Sequence, residues 1–405
     1  MPTRAAAKQP AASKQRALFD ATPCPPPREG RTVLEFFAGV GLARMGFERA
    51  GWEVVLANDL AADKKQLYEG HFGPSPHYLL EDIHELAERP DTIPSATLAH
   101  ASFPCTDLSL AGARRGINQG ESSAFWGFMR LLENLGERKP PLLLIENVTG
   151  LLTSHNGDDY RSLLTAMTAQ GYAVDSVVLD AACFVPQSRP RLFVLGVQSS
   201  EGEGRAEGAL DLETLQPSAL RPKQLIAAMQ SAADARWSIA ALPEPPERGQ
   251  VKLDEILDHP ADDSPEWWSR ERADYLLNQM SERHRATADK MIAGKRWSYG
   301  TVFRRVRNKK SMAELRTDGI AGCLRTPKGG SGRQILFQAG HGEHRVRLLN
   351  ADECARLMGA DGYNVTTRLN QALFGFGDAV CVDVVAWLAE HWLEPHAAAP
   401  AAQSD

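Results

Sequence analysis

Between residues 31 and 197 the apolar positions fall into two rhythms. Short, mainly apolar runs at 33–37, 54–57, 97–101, 142–145, 174–179 and 192–197 read as buried strands. Between several of them, at 42–50, 61–71 and 160–170, apolar residues recur at helical spacing. Strand-helix alternation predicts an α/β fold: a doubly wound, mostly parallel sheet with helices on both faces. The rhythm breaks after 197. Residues 199–250 are rich in Ala, Glu and Pro and show no strand order, whereas 265–292 reads as helical. Residues 295–338 mix basic, aromatic and Gly-rich pieces. A last amphipathic stretch at 378–391 puts Val380, Val384, Trp387 and Leu388 on one helical face.

The chain has 405 residues, more than one core usually holds, so two units or one unit with a large insertion are expected. Hydrophobic residues make up 43% and charged residues 24%, ordinary for a globular protein. No apolar run reads as long enough to span a bilayer, so no membrane partner is expected. Residues 1–30, with Arg4, Lys8, Lys14, Arg16 and Arg28 among Ala, Pro and Ser, read as a flexible basic tail without a secretory signal; 394–405, Ala/Pro-rich, reads as a frayed end. The six cysteines form no CxxC pair and no zinc-finger spacing, so a reduced, cytoplasmic protein without bound metal is the expectation. A net charge of −6 argues mildly against an acidic partner, but a basic face can sit on an acidic chain.

Four polar motifs stand at the ends of the apolar runs. In Phe37-Ala38-Gly39-Val40-Gly41, a strand enters a glycine turn ahead of a helix, where backbone approaches a ligand closely. Asp59, at the end of the next run, can bind a ribose's two hydroxyls. Gly46 stands five positions after Gly41, not three, which departs from the dinucleotide fingerprint and favours another adenosine cofactor. Pro104-Cys105 follows the 97–101 run, where open α/β sheets put their sites, and precedes a basic, Gly-rich segment at 110–121. Glu146-Asn147 follows 142–145. Gln187-Ser188-Arg189-Pro190-Arg191 leads into 192–197, with its arginines at alternate positions of an extended segment. Each of these is also compatible with a strand end or solvated edge when taken alone.

Their order and spacing resemble the cytosine-C5 DNA methyltransferase family. FAGVG looks like its cofactor motif; Asn58-Asp59 and Glu81-Asp82-Ile83 match its ribose and adenine positions. FPC, IENV and PQSRPR look like its nucleophile, acid and arginine motifs. Residues 347–359 and 371–380 resemble its last two blocks. Thr106 stands where the family usually has Gln, and Gly377-Asp378-Ala379-Val380 where it usually has Gly-Asn-Ser-Val. The resemblance implies a Rossmann-like methyltransferase domain over 31–197 and 368–393, with a smaller, irregular target-recognition domain and hinge inserted at 198–367. It implies S-adenosylmethionine bound by Phe37, Ala38, Gly39, Val40, Gly41, Asp59, Leu60, Asp82, Ile83, Asp378 and Ala379. It implies Cys105 as nucleophile, Glu146 on cytosine N3, Arg191 on O2, Arg189 supporting the nucleophile and the DNA backbone, and Asn147 fixing the Pro104-Cys105 turn.

A stacked cytosine is out of reach of such groups, so the base must swing out of the duplex, with 110–121 closing over it. Target choice falls to the inserted region. There Lys295, Arg296, Arg304, Arg305, Arg307, Lys309 and Lys310 crowd around Trp297, Tyr299 and Phe303 with no acid among them, as phosphate and base-edge contact requires. Ser109, Arg114, Arg115, Lys328 and Arg333 complete the expected DNA contacts. Double-stranded DNA is the expected partner of a monomeric prokaryotic enzyme, cytoplasmic and at the nucleoid through its DNA, with a restriction endonuclease reading the same site. The alternatives are a tRNA cytosine-C5 methyltransferase, a catalytically silent DNA-binding regulator and a nucleotide-dependent oxidoreductase. The large insert, the intact Cys105, Glu146 and Arg191, and the Pro-Cys motif argue against them in turn.

Overall fold

In the computed structural model, residues 28–103, 124–199, 209–307, 310–326 and 333–397 are described. The first unit is a seven-stranded sheet in the order β3-β2-β1-β4-β5-β7-β6. Its members are β1 (Thr32–Phe36), β2 (Glu53–Asp59), β3 (Tyr78–Leu80), β4 (Leu98–Ala101), β5 (Leu142–Val148), β6 (Tyr172–Asp180) and β7 (Pro190–Gln198). The pairs among β3, β2, β1, β4 and β5 are parallel, while β7 runs antiparallel between β5 and β6. Helices α1 (Leu42–Arg49) and α2 (Ala62–Phe72) pack with one face; α3 (Ile83–Ala87), α4 (Ala124–Leu135) and α5 (Asp158–Ala169) pack with the other. The doubly wound sheet is as expected. Strand β3, only three residues long, and helix α4 were not foreseen.

Residues 209–240, assigned from sequence to the recognition region, pack on the seven-stranded sheet instead. Leu212, Ile239 and, on α6 (Lys223–Gln230), Leu225 and Met229 are buried in the first core. The Val174 N–H donates to the Arg236 carbonyl (2.7 Å) and the Val178 N–H to that of Leu220 (2.8 Å). These bonds occupy backbone groups of the edge strand β6 that would otherwise invite pairing with another chain. The buried Arg221–Asp175 pair (2.7 Å) pins the wrap.

The second unit is built on residues 270–348. Helices α7 (Arg270–Asn278) and α8 (Glu282–Ile292) cover one face of a four-stranded antiparallel sheet, β11-β10-β8-β9. Its strands are β8 (Ser298–Arg307), β9 (Lys310–Arg316), β10 (Ile335–Gly340) and β11 (Glu343–Leu348). Val302, Ala313, Phe337 and Val346 form its core. The chain then returns through α9 (Ala351–Arg356), whose N-cap Asn350 and Glu353 form a capping box. The fully buried Arg347–Glu353 pair (2.6 Å) ties β11 to this turn.

Helices α10 (Leu369–Asp378) and α11 (Val382–Leu388) complete the first unit from the far end of the chain. The helical stretch Leu369–Ala397 is apolar and long enough to cross a membrane by composition, contrary to the sequence reading, but that apolar window is 72% buried inside the protein. Gly46 finds its explanation here: a Cβ on it would lie 2.6 Å from the Val382 carbonyl and Val385 Cβ. It is a packing glycine between α1 and α11, not a displaced ligand glycine.

Candidate active site

The polar groups of interest gather at the carboxyl ends of the parallel strands, where such sheets bind their ligands. At the end of β1, Phe37, Gly39 and Gly41 take positive φ values of 59°, 57° and 79°. The tight turn is held from three sides. The Gly39 N–H donates to Asp59 (2.9 Å), the Ala38 N–H donates to the Asn58 carbonyl (2.8 Å), and the Tyr78 hydroxyl donates to the Gly39 carbonyl (3.0 Å). The two glycines serve different ends. A Cβ on Gly41 would lie 2.5–2.7 Å from Phe72 and Tyr68, so Gly41 admits α2. A Cβ on Gly39 would meet nothing closer than 3.9 Å, so the space beside it is left for a ligand.

Asp59 is buried at the end of β2; besides Gly39 it accepts the Ala61 N–H (2.9 Å). Leu60 beside it is 68% exposed, and Leu80, at the end of the neighbouring strand, is 45% exposed. Together they offer an apolar shelf at the strand ends, of the kind a planar base covers. Leu80 was missed from sequence. Asp82 and Ile83, expected at the adenine, follow β3. The Asp82 side chain caps α3, accepting the His84 N–H (2.8 Å), so one of its oxygens is already engaged. Ile83 is buried, with its Cγ2 against Gly127 of α4.

Strand β4 carries the chain to Ser102, whose hydroxyl stands 3.5 Å from the Phe37 carbonyl, and to the buried Phe103. Pro104, Cys105, Ser109, Arg114 and Arg115, with the 110–121 segment, lie outside the described residues, as does Lys328. The described groups around that exit are the acid and the arginines. Register pairs Val148 of β5 with Arg191 of β7, so Arg191 reaches diagonally to Glu146. Its Nε donates to the buried Glu146 carboxylate at 2.9 Å. Burial pushes the Glu146 carboxyl above its ordinary value, against the pull of Arg191 and Arg189. Asn147 accepts the Val148 N–H (2.9 Å), and its buried amide nitrogen has no partner among the described residues.

Arg189 differs most from expectation. It is 2% exposed, and its fork is spent on protein. Nη1 donates to Cys323 Sγ (3.2 Å) and the Leu324 carbonyl (3.0 Å); Nη2 donates to the Gly377 (2.9 Å) and Ala379 (2.6 Å) carbonyls. Beside it, Gln187 donates to the Leu357 carbonyl (2.7 Å) and accepts the Leu324 N–H (2.8 Å). Arg189 therefore knots the exit of the recognition unit to the α10–α11 turn and does not face a DNA backbone. Burial works to raise the Cys323 thiol's pKa, but Arg189, Arg191 and Arg325 outweigh it and lower it.

On the recognition unit, Arg304 lies 5.8 Å over the Trp268 ring, and Arg305 is exposed, 3.6 Å from Glu314. Arg307 ends β8, and Val306 beside it is 76% exposed. Arg333 bonds Asn370 of α10, so it touches the first unit. Asp378, the last residue of α10, pairs with Lys64 (3.4 Å). Lys64 had no signal in the sequence, because its partner is over three hundred positions away.

A sequence profile of the C-5 cytosine-specific DNA methylase family matches residues 31–394. The type II methyltransferase M.BsuFI of Bacillus subtilis is 33% identical over 42% of this chain and 40% of its own length. M.Bsp6I of Bacillus sp. is 30% identical over 42% of this chain and 53% of its own. The chain thus matches about half or less of the length of these two relatives. M.HhaI of Haemophilus parahaemolyticus aligns more broadly, 26% identical over 89% of this chain and 93% of its own. The crystal structure of S. pombe Dnmt2 methyltransferase shares the fold, with a TM-score of 0.58 at 20% identity over 90% of this chain and 98% of that one. Members of the family use S-adenosylmethionine, and the open Gly39 turn, Asp59 and the apolar Leu60–Leu80 shelf fit an adenosine. A family profile spanning nearly the whole described chain, over a site built from the same motifs, makes this protein a member of the C-5 cytosine-specific DNA methylase family.

Proposed function

We propose that this protein methylates C5 of a cytosine swung out of a specific double-stranded DNA sequence, through a covalent bond from Cys105 to C6, as the modification enzyme of a restriction-modification system. The observation that carries the reading is the pairing of the buried Glu146 with the half-buried Arg191 at the mouth of the sheet. Cytosine C5 is a poor nucleophile. Addition of a thiolate at C6 moves the ring's electrons toward C5 and N3, splitting one hard step into easier ones. Glu146, its pKa raised by burial, can hold a proton against N3, while Arg191 donates to O2 on the adjacent ring atom. The pair thus matches two neighbouring positions of one base. Asn147's unpartnered amide is available to the Pro104-Cys105 turn.

S-adenosylmethionine, when bound, supplies an electrophilic methyl group. The Gly39 turn, Asp59, Leu60 and Leu80 would hold its adenosine end, and Asp378 with Ala379 lies toward its other end. After transfer, loss of the C5 proton to a base restores the ring and expels the Cys105 thiolate. The face of β8 and β9 opposite the helices, bearing Arg305 beside Phe303, with Arg304 at the edge of the helix side by Trp268, would read the duplex. The names of the type II relatives favour DNA over tRNA and a partner endonuclease at the same site.

A duplex carrying 5-fluorocytosine at the target tests the reading, because fluorine cannot leave as a proton does. Wild-type protein should form an adduct stable to denaturation; Cys105→Ala should form none yet still bind the duplex. The target sequence comes from bisulfite sequencing of DNA from cells expressing the chain. An adduct with Cys105→Ala, or methylation of tRNA and not DNA, would overturn the proposal.

A further inference from the structure

One charged group at the cofactor turn has no part in the scheme above. Lys64 sits in the first turn of α2 with its Nζ 4.0 Å from Asp59 Oδ2 and 3.4 Å from Asp378 Oδ2. Its stem lies along the ligand side of the glycine turn: a Cβ on Gly39 would meet Lys64 Cδ at 3.9 Å. The lysine thus bridges the two walls of the cleft, the end of β2 and the end of α10.

Asp378 is an awkward residue where it stands. A carboxylate at the last position of a helix meets the negative end of the helix dipole. Family members usually carry an uncharged Asn there. Lys64 is the cation that makes the acid tolerable, but it is not consumed by doing so. An ammonium has three N–H donors. Asp378 takes one, and Asp59 lies beyond hydrogen-bond distance, with its own oxygens engaged by the Gly39 and Ala61 N–H groups. The Lys64 side chain keeps 23% of its surface exposed. Burial disfavours its charge, yet Asp59 and Asp378 prevail and raise its pKa, so it is a cation throughout the neutral range.

S-adenosylmethionine has one anionic group, the carboxylate of its methionine end. We propose that Lys64 is a cofactor-positioning residue whose ammonium, strung between Asp59 and Asp378, takes that carboxylate and so selects ligands that retain the amino-acid end. Asp378 in turn aims Lys64 and offers an acceptor to the neighbouring ammonium of the ligand. The inference rests on the cofactor reading and has its own test.

Calorimetry on the full chain with two ligands separates the two. S-adenosylhomocysteine has the carboxylate; 5′-methylthioadenosine has the same adenosine without it. Binding of S-adenosylhomocysteine by wild-type protein tests the cofactor reading itself, and its absence removes both. With that binding in hand, Lys64→Met should weaken S-adenosylhomocysteine by at least about tenfold, the scale of a hydrogen bond to a charged group. Its affinity for 5′-methylthioadenosine should be unchanged, which also reports that the turn is folded. Lys64→Arg should restore most of the loss. A parallel loss for both ligands would make Lys64 a structural brace for Asp59, and no loss for either would remove it from the site; both results overturn the proposal.

Discussion

Replacing Arg189 with Met asks whether that arginine is a structural knot or a DNA contact. Methionine keeps much of the apolar stem and deletes the fork. Three carbonyls, of Leu324, Gly377 and Ala379, and the Cys323 sulfur then lose their donor in a place water reaches poorly. A buried acceptor left unpaired costs about 1–3 kcal/mol. Relief from burying a guanidinium, which its lowered pKa reflects, offsets part of the sum. A net loss of about 3–5 kcal/mol follows, a large share of the ~5–15 kcal/mol that holds a typical domain together. Urea titration followed by tryptophan fluorescence can read it, since Trp52 and Trp392 report on the methyltransferase core and Trp267, Trp268 and Trp297 belong to the recognition unit. The wild-type transition should move to lower urea in the variant and separate into two, because the joint fails before either core does. If Arg189 instead met DNA, the urea midpoint would stay and the salt dependence of DNA binding would flatten. A destabilisation below about 1 kcal/mol together with such a flattened slope would refute the structural assignment.

Two further outcomes are expected. Arg304→Ala with Arg305→Ala should weaken duplex binding and lower the log–log salt slope by about one unit per lost phosphate contact, with S-adenosylhomocysteine affinity untouched; anisotropy across a salt series checks it, and an unchanged slope and affinity would remove this stretch from the DNA-facing surface. Glu35 is fully buried with Oε2 unpartnered, and burial foremost raises its pKa from 4.5 to about 8. A raised acid pKa lends stability that is complete below the unfolded value and is lost as pH rises through the folded one, here between 4.5 and about 8. Glu35→Gln should therefore gain on wild type by at least about 1 kcal/mol in urea titrations from pH 5 to pH 8, and parallel pH curves would show that Glu35 does not titrate in this window.

What could be read from the chain was what is local. The cofactor turn, Asp59, Glu146 and Arg191 each close an apolar run, and a strand's end is where period and polarity change together. Gly46 was visible as out of place but not as a packing residue, because α11 lies far along the chain. Arg189 was assigned by its neighbour at alternate spacing, yet its partners stand 134–190 positions away. Outside α6, the 209–240 segment meets β6 through single backbone bridges, which need no side-chain pattern. Strand β8 looked like a charge run: on the α7–α8 side of the sheet its alternation ends at Val302, and Arg304 takes the next inward position.

The far-end origin of α11 sets an order of events during synthesis. Arg49 at the end of α1 and Asp383 in α11 meet at 2.6 Å across 334 positions of chain. A ribosome takes roughly 15–70 s to cover that interval. Until then Phe47 and Trp52, with their sheet face, await Val384, Val385, Leu388 and Trp392, which bury them in the finished protein. The nascent chain thus carries an uncovered apolar surface while the whole second unit is being made. A chain cut short within that unit would keep the sheet face open, with Phe47 and Trp52 uncovered.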